Sequence, residues 1–597
     1  MAYYFGNPER VKSSFDALAT DLAEAKSACF ELAGRFAINA DRTPVYKHFA
    51  ELLEIILPSI ILMLEAVVAV TKKIYQSHPG LRYDHLFFPP AAEKARLQRL
   101  SENGWCPFTV DKFRKMGDNS FLSWIDVSGL KKDTSQEHSE CDKTQCRLYQ
   151  VDASTYRTKH VSPNCECGFI CPSMEAIQDA LSQDMIPCIK TIDDATLRLV
   201  VTPLSVSTQE TFVAFSHVWA DGLGSTSEQG LPKCQIRRLS NMVSKTPFCT
   251  GKPTFWIDSL CVPYQHDFRK KAIMLMAKTY SLASGVIVLD CHVQNFSPTP
   301  CIEELLLTIC GSGWMERLWT YQEAALARKL AFMTKDGLVE LDPTPMRLPP
   351  ASLPLPTIWM YLVQQLEKLT KRPRARGQMI GVVHSTLRWR NTSKDDDETL
   401  AIAGMLDVDV SDLLVLKGEE RKAKFWKLLG MVPKSIIYLA GPKLSIDGFG
   451  WAPRTLMYHL DGASTMNSDG EAICTDRGLV GQWKALVLRE NLVTKPGVDI
   501  YLEDEENSEW IYHLIGLGGG GEEFVFDAVL IPRDNWGGGP ATIAAAVRAE
   551  PQGAGADASE MTVALTQRMA LRSVSTELSS AEQVIIGGLQ DLLLCIR

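Results

Sequence analysis

Trp319 and Glu323 lie four residues apart in the run Trp314-Met315-Glu316-Arg317-Leu318-Trp319-Thr320-Tyr321-Gln322-Glu323. On a helix that spacing puts indole and carboxylate on one face. A ring so placed stacks on a nucleobase or nicotinamide while the carboxylate faces the adjoining ribose. A carboxylate opposite ribose C1 stabilises the oxocarbenium-like charge that develops as a glycosidic bond breaks, as in glycosidases. Glu323 is therefore the candidate catalytic residue. The plainer reading pairs it with Arg328 on a helix surface, where an ion pair is worth little. On that reading Trp314 and Trp319 are core residues.

Two further blocks join β-rich runs to polar turns. The first is Phe215-Ser216-His217-Val218-Trp219, followed by Ala220-Asp221-Gly222-Leu223-Gly224; the second is Phe255-Trp256-Ile257-Asp258-Ser259-Leu260-Cys261. They supply the candidate binding residues Phe215, Ser216, His217, Trp219, Asp221, Gly222, Gly224, Trp256, Asp258 and Cys261, joined by Arg317 and Trp319. Two glycines after a strand permit a tight turn and close backbone approach to a ligand. The third glycine and immediate helix of a dinucleotide fingerprint are missing, so a plain turn is the competing reading. Asp258 either meets a ligand or caps the turn after its strand. Cys261 with His217, oriented by Asp258, would make a thiol hydrolase. Against it, a cysteine between Leu260 and Val262 sits where thiols are inert.

Cysteine and histidine crowd between Trp105 and Cys171. They run Cys106, then His138-x2-Cys141-x4-Cys146, then His160-x4-Cys165-x-Cys167-x3-Cys171. Thiolate and imidazole are the ligands zinc prefers, and short steps let one turn supply two. His138, Cys141, Cys146, His160, Cys165, Cys167 and Cys171 are thus candidate ligands of a structural zinc, although no subset has a standard finger spacing. Buried free thiols and redox chemistry are the other readings.

The elements that must position these groups follow from periodicity. Asn7–Ser77 repeats apolar residues at helical steps and predicts a helical N-terminal region. Cys188–Leu204, Thr211–Ser216, Phe255–Asp258, Gly285–Leu289 and Leu330–Met333 read as strands; Phe268–Ser284, Ile302–Cys310 and Glu316–Arg328 read as helices. That alternation predicts an α/β domain with a parallel sheet and helices on both faces. Ligands of such sheets sit at the carboxyl ends of the strands, where Ser216, His217 and Asp258 fall. Beyond a proline-rich connector at 343–356 the expectation is a mixed domain. It has helices at Ile358–Leu369 and Asp397–Val408, strands at Ala485–Leu488 and Phe524–Ile531, glycine turns at 516–521 and 537–539, and a small-residue linker ahead of a last helix. The boundaries expected are 1–100 helical, 101–185 Cys/His-rich, 186–342 α/β, 343–547 mixed α/β and 548–597 linker with helix.

Bulk properties narrow the class. A 597-residue chain is too long for one core and is expected to divide into about three or four domains, which with the element pattern above makes a multidomain α+β chain; its 46% hydrophobic and 22% charged residues are those of an ordinary soluble globular protein. A net charge of -9 without any lysine/arginine block argues against nucleic-acid binding. The N-terminal Met1–Asn7 lacks a secretion signal, so sixteen cysteines read as reduced thiols or metal ligands in a cytoplasmic protein. Ile55–Val70, interrupted by Pro58 and Glu65, reads as a buried helix rather than a membrane span.

The three central blocks resemble the heterokaryon-incompatibility (HET) domain of fungal proteins, whose pattern runs S-x-x-W, W-I-D-x-L-C and R-x-W-T-x-Q-E. Arg390-Asn391-Thr392 and Trp451-Ala452-Pro453-Arg454-Thr455-Leu456 are similar to its later R-x-T and W-A-P-x-S-L. The same blocks resemble, more distantly, the Toll/interleukin-receptor (TIR) domain, which opens on an aromatic-x-S-F strand and closes its site with W-C-L-x-E. Here Thr320-Tyr321 stands in place of C-L. The resemblance implies a TIR-like parallel sheet, Glu323 as the catalytic glutamate of NAD cleavage, Trp319 as the motif tryptophan and Phe215-Ser216 at the first strand. It also implies an effector of an incompatibility or innate-immunity cell-death response, acting as an NAD hydrolase or through assembly. The implied partners are a second copy, an incompatibility protein or an NAD-like small molecule.

Overall fold

The structure, a computed structural model, describes Glu24 and residues 90–597 except 133–137, 152–154, 194–195, 206–209, 250, 298–301, 343–355, 371–375, 460–465, 467–469, 505–510, 518–521, 533–541, 552–559 and 575–582. The expected N-terminal helices, Ile55–Val70 and the glycine turn at 537–539 lie outside the described residues, as do nearly all of the connector at 343–356 and most of the small-residue linker. So does most of the turn at 516–521. Among the described residues, no helix is long and apolar enough to cross a membrane.

The centre is a seven-stranded sheet of β1 (Ile186–Asp193), β2 (Leu197–Leu204), β3 (Val213–His217), β4 (Thr254–Trp256), β5 (Gly285–Leu289), β6 (Leu330–Thr334) and β7 (Gly337–Glu340). Its order is β2-β1-β4-β3-β5-β6-β7. The inner strands β4, β3, β5 and β6 run parallel. Every residue of β3 and β5 is buried, as continuous apolar runs covered on both faces must be. The edges depart from the all-parallel expectation. Cys188–Leu204 is two strands, the hairpin β1–β2, and β1 runs antiparallel to β4; β7 folds back on β6.

The helices that matter for the site are α1 (Pro107–Ser128), α2 (Met174–Ser182), α3 (Lys233–Lys245), α4 (His266–Leu282), α5 (Ile302–Cys310), α6 (Trp319–Ala325) and α7 (Asp397–Ala403). The helix expected over Glu316–Arg328 breaks into a one-turn Gly313–Glu316 and α6, with Arg317 extended between them. That extended residue pairs with Asn391, so a long-range bridge interrupts the helical periodicity.

The C-terminal part holds a nine-stranded sheet. Its strands are β8 (Met431–Pro433), β9 (Glu471–Cys474), β10 (Leu479–Thr494), β11 (Asp499–Asp504), β12 (Ile511–Leu517), β13 (Phe524–Ile531), β14 (Thr542–Ala549), β15 (Met561–Val574) and β16 (Gln583–Ile596). They are ordered β8-β9-β10-β13-β14-β15-β12-β11-β16, and β16 also pairs with β10, so the sheet closes on itself. The expected last helix is therefore corrected to a strand. Gly587 and Gly588 disfavour a helix there, and three partner strands satisfy the backbone of Gln583–Ile596. The expected boundary at 547/548 falls inside β14, so one sheet spans both segments.

Candidate active site

Strand β3 ends in Ser216 and His217, β4 is followed after Ile257 by Asp258, and α6 carries Glu323 to the same carboxyl edge. Ser216 Oγ donates to Glu323 Oε2. Trp314 Nε1 donates to Ser216 Oγ at 2.6 Å, so the serine hydroxyl is both fixed and aimed. The Tyr280 hydroxyl, on α4, lies within hydrogen-bond reach of the Glu323 carboxylate and donates to the Phe215 carbonyl at 3.2 Å. Burial pushes the Glu323 carboxyl up to about 7; the charge of Asp258 adds to this, while bonds from Ser216 and Tyr280 and the nearby His217 oppose it. Glu323 is thus neither in bulk water nor paired with Arg328, whose Nε donates to the Ser281 carbonyl.

Beside it lies a second polar pair. His217 Nε2 bonds Asp258 Oδ1 at 2.7 Å, and Trp219 Nε1 donates to Asp258 Oδ2 at 2.6 Å. Ser259 N also donates to Asp258 Oδ1 at 2.7 Å, so the carboxylate caps its turn and faces the site together. Burial would raise Asp258, but His217 and these donors hold it below the ordinary carboxylate range. Burial would lower His217, yet Asp258 outweighs it and the imidazole sits above its ordinary value. His217 Nδ1 is buried with no hydrogen-bond partner among the described residues.

The remaining expected residues separate into three sets. Phe215, Trp256 and Cys261 are corrected from ligand contacts to core: the Phe215 ring packs on Phe255, Trp256 on Tyr280, and Cys261 is fully buried. Burial pushes the Cys261 thiol far above its ordinary value, and neither ring nitrogen of His217 bonds it: Nε2 holds Asp258 and Nδ1 has no partner among the described residues, which is not the arrangement of a thiol nucleophile. Gly222 and Gly224 serve packing. Gly222 has φ +111°, and a Cβ on it would meet Lys159 at 2.6 Å; one on Gly224 would meet the Trp219 ring at 2.9 Å. Asp221 accepts from Cys291 N at 2.9 Å, and burial beside Asp290 pushes it up to about 6. Trp319 sends its indole N–H to Asp397 of α7 at 2.9 Å, so the tryptophan bonded into the Ser216–Glu323 chain is Trp314. Burial lowers the Arg317 guanidinium against Asp397 and Glu323, and its Nη1 donates to the Tyr149 carbonyl at 3.2 Å.

Sequence reasoning missed Trp314 and Tyr280. Tyr280 falls at a helical step from Ile273, Met276 and Ala277, and nothing local distinguishes it from a core ring. Arg390 was noted only in its motif; it is buried and donates to Thr320 Oγ1 at 2.7 Å and to the Arg317 carbonyl.

The Cys/His residues gather in two groups that could hold a metal ion. They are Cys106, His138, Cys141 and Cys146, and His160, Cys165, Cys167 and Cys234, the ligand atoms of each group lying within 4.8 Å of one another. Cys171 is corrected out of the ligand set: its Sγ donates to the Glu228 carbonyl at 3.1 Å. Cys106 and Cys234 complete the groups. Cys234 lies beyond the stretch where ligands crowd, and only the fold brings it there. Comparison with protein-family models, with curated proteins and with solved structures finds no match to this chain.

Proposed function

We propose that the chain is a HET-type effector whose central domain is TIR-like and cleaves NAD at its nicotinamide–ribose bond. The observation that carries this reading is Glu323: a half-buried carboxylate at the carboxyl edge of a parallel sheet, bonded by Ser216 and within reach of the Tyr280 hydroxyl, beside His217 and Asp258. Its ionised form faces a developing oxocarbenium and stabilises it. The bond between ribose C1 and the pyridinium nitrogen breaks, and its electron pair leaves with nicotinamide. Water then adds to C1, losing a proton to Glu323, and ADP-ribose results. His217 and Trp219, both tied to Asp258, frame the polar side of the site. The metal assigned to the Cys/His groups is zinc in a structural role.

The test is direct. Purified chain incubated with NAD is expected to release nicotinamide, and Glu323→Gln to reduce the rate at least about a thousandfold with its circular dichroism unchanged. Unaltered turnover in that variant removes Glu323 from the chemistry. No release from concentrated wild type leaves the effector acting through assembly alone.

A further inference from the structure

The two Cys/His groups differ from a chance crowding of thiols in their internal distances. A tetrahedral zinc with bonds of about 2.3 Å to sulfur and about 2.05 Å to nitrogen sets its ligands about 3.8 Å apart for sulfur pairs and about 3.6 Å for sulfur–nitrogen pairs. In the first group Cys141 Sγ and Cys146 Sγ are 3.8 Å apart, and each lies 3.5 and 3.8 Å respectively from His138 Nδ1. In the second, His160 Nδ1 lies 3.4 Å from Cys167 Sγ and 3.6 Å from Cys234 Sγ. The sulfurs are not disulfide-bonded. Backbone amides donate to them: Arg147 N to Cys141 at 3.3 Å, Val161 N to Cys234 at 3.4 Å and Cys234 N to Cys167 at 3.3 Å. Such donors offset the net negative charge that three thiolates leave on one zinc.

We propose that the chain holds two separate zinc ions, each bound by three cysteines and one histidine. The second fastens a strap over the candidate active site. Residues 156–160 form that strap. The Tyr156 hydroxyl donates to the Trp219 carbonyl and accepts from Gly224 N, both at 2.8 Å. Thr158 Oγ1 donates to the Gly224 carbonyl at 2.6 Å, and Lys159 N to the Gly222 carbonyl at 2.8 Å. His160, at the end of the strap, is a ligand, and Cys234 at the start of α3 belongs to the same group. The strap thus runs from the metal onto the very turn whose Trp219 bonds Asp258. The segment from Gly129 to Gly168 has neither helix nor strand among its described residues, so it lacks a core of its own and needs such cross-links. The first zinc holds the other side: Cys146 is followed by Tyr149, whose carbonyl receives Arg317 and whose hydroxyl bonds His292 at 3.1 Å.

This inference deepens the zinc reading above and is independent of NAD cleavage. Elemental analysis of the full chain after gel filtration is expected to give two zinc per chain, and X-ray absorption a shell of three sulfurs and one nitrogen. Cys141→Ser and Cys165→Ser should each remove one equivalent. One zinc in the wild type overturns the second centre while leaving the zinc reading; none overturns both. The absorption measurement on wild type needs no variant to fold, and a shell dominated by oxygen and nitrogen overturns the assignment. For the strap, hydrogen exchange after chelation is expected to quicken about tenfold in peptides covering 219–225 and not in β5. Unchanged protection at 219–225, or equal loss in β5, overturns it.

Discussion

Glu323 titrates near 7 when folded against an ordinary value of 4.5, because burial disfavours its charge. The folded chain therefore binds that proton more tightly than the unfolded chain. Its contribution to stability is full below about pH 4.5 and is lost as pH rises through about 7. Glu323→Gln removes the titration while keeping an acceptor for Ser216. Urea unfolding is expected to show the variant more stable than wild type by on the order of 2 kcal/mol at pH 8, and by nothing comparable at pH 4.5. A difference that stays flat with pH would mean the carboxyl does not carry the shift. If Glu323 acts as proposed, NAD cleavage is expected to rise with pH through about 7, since the ionised form is the one that would work, and a rate flat across that range counts against the proposal.

Among elements, the short α6 owes its place to a distant segment. Asn391 N donates to the Glu316 carbonyl at 2.7 Å and Leu318 N to the Asn391 carbonyl at 3.0 Å. Arg390 adds its bonds to Thr320 and Arg317, with its guanidinium 5.3 Å from the Tyr321 ring centroid. This cation interacts favourably with the Glu323 carboxylate, and burial lowers its own pKa to about 10. Arg390→Met should therefore raise the Glu323 midpoint, read as a displaced pH-dependence of unfolding. A midpoint that stays in place would show that Arg390 acts only as a fastening. The two W-A-P and R-x-T stretches, seen in the sequence only as similar patterns, are thus physically joined to the site: Leu456 N donates to Glu398 Oε1 of α7 at 2.6 Å, and Asp397 holds Trp319.

At the scale of the molecule, β16 closes the C-terminal sheet by pairing with β10, β11 and β15. A chain ending before Gln583 leaves three strand edges open, and open edges aggregate. It is expected to elute in the void volume on gel filtration, whereas loss of a detached terminal helix would leave a discrete peak. The inner strands and the helices Phe268–Ser284 and Ile302–Cys310 were legible within a residue or two, because a buried strand or amphipathic helix writes its period into adjacent residues. The placement of Ser216, His217 and Asp258 at strand ends followed from the same local signal. What neighbouring residues could not carry was partnership across the chain. Trp314 rather than Trp319 bonds Ser216, Cys234 rather than Cys171 completes a metal group, and Gln583–Ile596 is a strand because three others await it. Each of these is decided by side chains or backbone from remote segments competing for one partner, and such a contest is settled only when the chain has folded.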